Sequence, residues 1–241
     1  MNSLKGIKES WIKGKPILLF DAEDREGEVD IMIASEFMTP RIIAQMRVDA
    51  GGLICCAMSS KYCDAVGLPF LTDIYGAAST KYPILPDLIE HGLPYGARSA
   101  FSVAINHVNS FTGITDIDRS MTIKEVGEIG KTFLEGEDIR DQYKRSFRIP
   151  GHVPLLRGAN NLLKSRLGHT ELSLAICEVL GFAPTVTMCE MMDAKSGKAL
   201  SIPEAKKYAE KYNLLYFNGE QIIHAWCDFK QINQSEIFRR T

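Results

Sequence analysis

The ten residues Asp21-Ala22-Glu23-Asp24-Arg25-Glu26-Gly27-Glu28-Val29-Asp30 carry six carboxylates and one guanidinium between two apolar runs, Pro16-Ile17-Leu18-Leu19-Phe20 and Ile31-Met32-Ile33-Ala34. Both runs have the length and composition of strands, which confines the carboxylates to a strand-to-strand corner. Like charges held this close raise one another's pKa, and Arg25 alone cannot neutralise six of them. A divalent cation that prefers oxygen ligands, such as Mg2+, would. If residues 26–30 continue the second strand, Glu26, Glu28 and Asp30 share a face, because strand side chains alternate with period two. The residues alone also admit a plainer reading, an acidic turn that stays wet, as charge runs commonly do.

The rest of the chain limits what can surround this corner. Its 241 residues allow one or two domains. A formal charge of −2, with no basic run denser than Lys144-Arg145 to Arg148, argues against a nucleic-acid surface. No apolar run reaches membrane-spanning length, and Met1 to Lys15 has Leu4, Ile7, Lys8, Trp11 and Ile12 at helical spacing with no signal-peptide core. A cytoplasmic protein is expected, and Cys55, Cys56, Cys63, Cys177, Cys189 and Cys227, with no Cys-x-x-Cys pair, are expected as reduced core thiols.

Along the chain, Thr39-Pro40 opens a helix with Ile42, Ile43 and Met46 on its buried stripe. Strands are expected at 53–58, 101–105, 184–189 and 214–217, and helices from 122 to about 133, from 170 to Gly181, near 203–212 and near 219–229. Residues 67–99, rich in proline and glycine, read as a long loop; 135–148 read as a charged surface excursion; 147–152 read as a turn carrying His152. Strands and helices mix without strict alternation, so the expected fold is α+β, a single domain over 1–241 with a mixed β-sheet covered by helices on both sides.

Three further places offer chemistry. Arg166-Leu167-Gly168-His169-Thr170 joins an arginine, a glycine and a helix start, an anion site suited to phosphate, or else an ordinary cap by Thr170 beside an exposed Arg166. His152 follows Pro150-Gly151 and is either a titrating group near pH 7 or a histidine bonded to backbone. Glu190 ends a strand, where catalytic groups often sit and where a solvated glutamate looks the same. Gly127 to Thr132 imitates the end of a P-loop, but Glu125 stands where its first glycine belongs and the segment lies inside an expected helix. No zinc-deaminase signature, His-Glu-x-x-His or Gly-x-Ser-x-Gly is present.

The combination of Asp24-Arg25-Glu26-Gly27-Glu28, Phe111-Thr112-Gly113-Ile114-Thr115, Pro150-Gly151-His152, Arg166-x-Gly-His169-Thr170-Glu171 and Cys189-Glu190-Met191-Met192, in that order over residues 1 to about 225, closely resembles the 3,4-dihydroxy-2-butanone 4-phosphate synthases of riboflavin biosynthesis. The resemblance implies conversion of D-ribulose 5-phosphate to 3,4-dihydroxy-2-butanone 4-phosphate and formate, with Mg2+ or Mn2+, in a homodimer. By the same resemblance Glu26 and His169 are the metal ligands; Arg25, Glu26, Asp30, Arg166, Leu167, Gly168, His169, Thr170 and Glu190 contact substrate; and His152 and Glu190 are essential. Glu28 and Asp30 join those two as candidates for the proton transfers, while Asp21, Glu28, Cys55, Tyr95 and Thr112 are expected to touch the substrate or to stand behind the groups that do.

Two positions depart from the family pattern: Leu167, where a smaller or polar residue is frequent, and Val29, where a small one is. Neither removes a functional group. Lacking the cysteine-rich second domain of bifunctional relatives, the chain is expected to have no GTP cyclohydrolase II activity. Two rivals use the same logic, a metal-dependent sugar-phosphate isomerase or aldolase, and a non-enzymatic phosphosugar-binding module.

Overall fold

Ile17–Phe20 (β1) and Val29–Ala34 (β2) are buried at every position, as are Cys55–Met58 (β3). Strands covered on both faces read as unbroken apolar runs, which is why these were visible in the sequence. The computed structural model describes residues 4–91 and 98–238. Phe101–His107 (β4), Phe147–Arg157 (β5), Thr185–Glu190 (β6) and Leu215–Asn218 (β9) complete a seven-stranded mixed sheet, while Met192–Asp193 (β7) and Lys198–Ala199 (β8) form a small separate ladder. The order is β4-β5-β3-β6-β2-β1-β9, with β1–β9 and β3–β5 parallel and the other pairs antiparallel.

Helices cover the sheet. Lys5–Ile12 (α1) buries Leu4, Ile7 and Trp11 against β1 and β9, leaving Ile12 exposed. Pro40–Asp49 (α2) is capped by Thr39, whose hydroxyl accepts from the Ile42 amide. Ser60–Val66 (α3), Leu71–Ala78 (α4) and Leu85–Glu90 (α5) follow β3. Asp116–Leu134 (α6) packs on α2 and on the 3-10 turn Ser35–Phe37, where any side chain at Gly127 would lie 2.4 Å from the Glu36 nitrogen. Close packing, not phosphate, therefore accounts for that glycine. Arg140–Ser146 (α7), His169–Leu180 (α8), Ile202–Tyr212 (α9), Gly219–Lys230 (α10) and Ser235–Phe238 (α11) complete the set, with α8 against β2, β3, β6 and α10. All six cysteines are buried and unpaired, and no helix among the described residues is long and apolar enough to cross a membrane.

Four expectations are corrected. The long loop 67–99 contains α4 and α5, neither with a buried residue, so their apolar positions carried no face to detect. The helix expected from Thr122 begins at Asp116 with Thr115 as its cap; Thr122 is interior and its hydroxyl bonds back to the Asp118 carbonyl. The excursion 135–148 holds α7. The turn at 147–152 is instead part of β5, where residues 149–152 bulge between the pairs Asn106↔Arg148 and Ile105↔Val153.

Candidate active site

The acidic corner closes on Asp21. Its side chain, 4% exposed as a residue, accepts from the amides of Glu26 and Glu28 at 3.1 Å each and from Arg25 Nη1 at 3.4 Å. Gly27, at φ +67, makes the reversal that this requires. The second strand starts only at Val29, so Glu26 reaches the site from the turn and not from a shared strand face as expected.

Opposite the corner, α8 begins at His169 with Gly168 as its cap residue and no side-chain cap; Thr170, expected in that role, is buried in the first turn. A Cβ at Gly168 would meet Arg166 Nη1 at 2.6 Å and Arg25 Nη1 at 2.9 Å, so glycine allows both guanidinium groups to reach one place. Arg166 is not simply solvated. It donates to Glu171 at 2.8 Å and lies 3.8 Å from Glu26, while Glu171, 1% exposed, also accepts the Ala159 amide. Leu167 is partly buried against the core.

His169 donates through Nδ1 to Glu26 Oε2 at 3.3 Å and through Nε2 to the Glu28 carbonyl at 3.2 Å, with Asp30 Oδ1 at 3.7 Å. Asp30 faces Glu190 across the β2–β6 ladder, and its Oδ1 has no hydrogen-bond partner among the described residues. A buried carboxylate oxygen without a donor is costly unless something else binds there. Burial, together with Glu190, Glu28 and Glu26, outweighs the attraction of His169 and raises Asp30 to about 7. Burial alone would lower His169, but Asp30, Glu26 and Asp21 overcome it and hold the ring at about 9. Burial and Glu190 also raise Glu28. Cys55, at the start of β3, is pushed far up by burial and is a neutral thiol, not a nucleophile.

His152 and Thr112 belong to a second group. Strands β3 and β6 separate β5 from β2, a lateral distance of about 14 Å at the usual strand spacing. His152, exposed, bonds to Asn106, and Thr112 Oγ1 donates to Asp118 at 3.4 Å. Tyr95 lies outside the described residues. Sequence reasoning gave no role to Glu171, although it stands in the Arg166 motif, and passed over Asn106, which no motif marks.

Asp21, Glu26 and His169 present three ligand atoms within 4.8 Å of one another. A buried histidine–carboxylate cluster rimmed by two arginines is equipped for acid–base work on a small anionic molecule, which places the protein among enzymes of that kind. Residues 6–225 match the family 3,4-dihydroxy-2-butanone 4-phosphate synthase. The enzyme of that name from Archaeoglobus fulgidus is 42% identical over 224 residues, covering 92% of this chain and 93% of the relative. The one from Methanothermobacter thermautotrophicus is 42% identical over 218 residues, covering 90% and 93%. Among solved structures, the Candida albicans synthase has a TM-score of 0.69 at 22% identity, covering 92% of this chain and 95% of its own. A synthase in complex with two magnesium ions has 0.69 at 21%, covering 93% and 96%. These two share the fold. The chain belongs to the 3,4-dihydroxy-2-butanone 4-phosphate synthase family.

Proposed function

We propose that the protein converts D-ribulose 5-phosphate to 3,4-dihydroxy-2-butanone 4-phosphate and formate, with Mg2+ or Mn2+, as a cytoplasmic homodimer. The observation that carries this reading is the meeting of Glu26 and His169, beside the orphaned Asp30 oxygen, with Arg25 and Arg166 on the rim. The five carbons of the substrate leave as four plus one, and the reaction closes without an oxidant or a net water.

Carboxylate and imidazole donors fit a hard divalent cation, and Glu26 and His169 would hold it, with Asp21 within reach. When bound, the cation supplies Lewis-acid polarisation of the substrate's carbonyl and hydroxyl oxygens. Arg25, Arg166 and the amides at the start of α8 bind the phosphate, and Glu171 keeps the Arg166 fork turned toward it. Asp30, raised to about 7, exchanges a proton near neutrality, as successive enolisation and dehydration require. Glu28 and Glu190 lie beside it and share the later transfers, through skeletal rearrangement to release of C4 as formate.

The homodimer rests on Phe111, Ile114, Ile117 and Ile149, which expose 94%, 50%, 64% and 65% of their surface around the tip of β4 and β5. Within one protomer His152 and Thr112 lie apart from the acidic corner, with β3 and β6 between β5 and β2, so for them to act on the same substrate a second copy would have to set its own corner against this face.

The test is incubation with ribulose 5-phosphate, with and without Mg2+, followed by formate assay. Metal-dependent formate that disappears in Glu26→Ala is the expected result. Ribulose 5-phosphate merely bound or isomerised, with no formate, would overturn the reading.

A further inference from the structure

We infer that Asn106 is a positioning residue that fixes His152 as an Nε2–H donor, so that His152 serves the reaction by hydrogen-bonding an oxygen that gains negative charge and not as a base. The inference deepens the proposed function and rests on it for the identity of the reaction.

The bulge at 149–152 leaves the His152 amide without a place in the β4–β5 ladder. Asn106 Oδ1 accepts that amide at 2.9 Å. A backbone N–H can only donate, so the amide orientation of Asn106 follows, and its Nδ2 stands 3.1 Å from His152 Nδ1. An amide nitrogen also only donates. Nδ1 must therefore accept, which puts the single proton of the neutral ring on Nε2. The alternative contact, Nδ1 to Oδ1, is longer at 3.4 Å. A second proton on Nδ1 would set two donors face to face unless the Asn106 amide turned over, which would break its bond to the His152 backbone.

The surroundings clamp this arrangement. Asn106 is 3% exposed, and a side chain at Gly113, φ +92, would collide with it at 2.1 Å. At Gly151 a Cβ would lie 1.9 Å from the Ile105 carbonyl carbon, so the two backbones touch where the bulge begins. The ionisable groups on the elements packed around His152 have their own partners. Arg148 on β5 donates to the carbonyls of Val108, Ser110 and Phe111; Asp118 on α6 accepts the amides of Phe111 and Gly113; His107 on β4 accepts the Asn109 amide. With its Nδ1 lone pair occupied, His152 cannot take a carbon-bound proton, which leaves that task to the carboxylates. A neutral imidazole held as a donor is instead suited to an oxyanion.

The test uses the full chain labelled with 15N-histidine, its His152 signals assigned by comparison with His152→Gln. Two-bond proton–nitrogen correlations in the substrate-free protein should show the Nε2–H tautomer; an Nδ1–H tautomer would overturn the inference. Asn106→Asp keeps the shape but accepts from Nδ1–H, so the tautomer should reverse. Turnover at alkaline pH should then fall about 100-fold with little change in KM. Activity should return as pH falls, because only the imidazolium then carries an Nε2 proton. Wild-type turnover and an unshifted pH profile in Asn106→Asp would refute the role. The tautomer is read without substrate, so a wild-type chain that makes no formate would overturn the assigned reaction and not the hold of Asn106 on the ring.

Discussion

Asp30→Asn should stabilise the metal-free protein while abolishing its activity. Asp30 is 2% exposed and sits at about 7 instead of 3.8, so at pH 8 its ionised form costs roughly three pKa units, about 4 kcal/mol at about 1.4 kcal/mol per unit. The folded state keeps a proton that the unfolded chain has already lost, so this penalty grows as pH rises from about 4 to about 7 and shrinks as pH falls. The attraction of His169 is already contained in that value, so the expectation is a gain of about 4 kcal/mol at pH 8, falling to about 2 kcal/mol at pH 5, where Asp30 is already protonated in the folded state. Urea unfolding with a chelator at the two pH values measures both numbers. A variant less stable than wild type at pH 8, or a gain that does not grow between pH 5 and pH 8, would refute the claim that this carboxylate is buried at a loss.

The same groups couple metal binding to protons. His169, near 9, and Asp30, near 7, hold protons that a cation must displace, so Mg2+ should bind more tightly as pH rises from about 7 to about 9, by up to about tenfold per unit. Calorimetry in two buffers of different ionisation enthalpy should show proton release at pH 7, and equal heats in both would contradict it. Glu171→Gln retains the shape of the buried partner of Arg166 but removes its charge, and should raise KM for the sugar phosphate by about tenfold or more while changing kcat less. A fall in kcat at unchanged KM would place Glu171 elsewhere in the reaction.

Much of the architecture could be read from the chain because burial leaves a pattern. β1, β2 and β3 announce themselves as apolar runs and β6 by its β-branched Thr185-Val186-Thr187, and Thr39-Pro40 and Gly181 mark real helix ends. Where burial is thin the pattern fails: neither α4 nor α5 buries a residue. Local chemistry misled at Thr122, whose spacing to Glu125 mimics a capping box inside α6, and at Pro150-Gly151, which spells a turn but forms a bulge. The corner that gathers Glu26 and Glu28 was visible as a run of charge, and the Arg166–Thr170 motif as a helix start. What the chain could not display is register. That Asp30 faces Glu190 follows from strand pairing across about 160 residues, and that His152 lies apart from both follows from the strand order.

The sheet order has a consequence for biosynthesis. β1 and β2 leave the ribosome early, yet β2 finds its second partner in β6 and β1 in β9, strands that follow β2 by about 150 and about 180 residues. At the usual 5–20 residues per second the wait is roughly ten to thirty seconds. During that time a hairpin buried at all ten of its strand positions in the finished protein has two open edges and, beyond α1, little of its eventual cover. Asp30 lies within β2, but the other five carboxylates and Arg25 sit at the tip of the hairpin, and charge placed there opposes premature pairing between nascent chains.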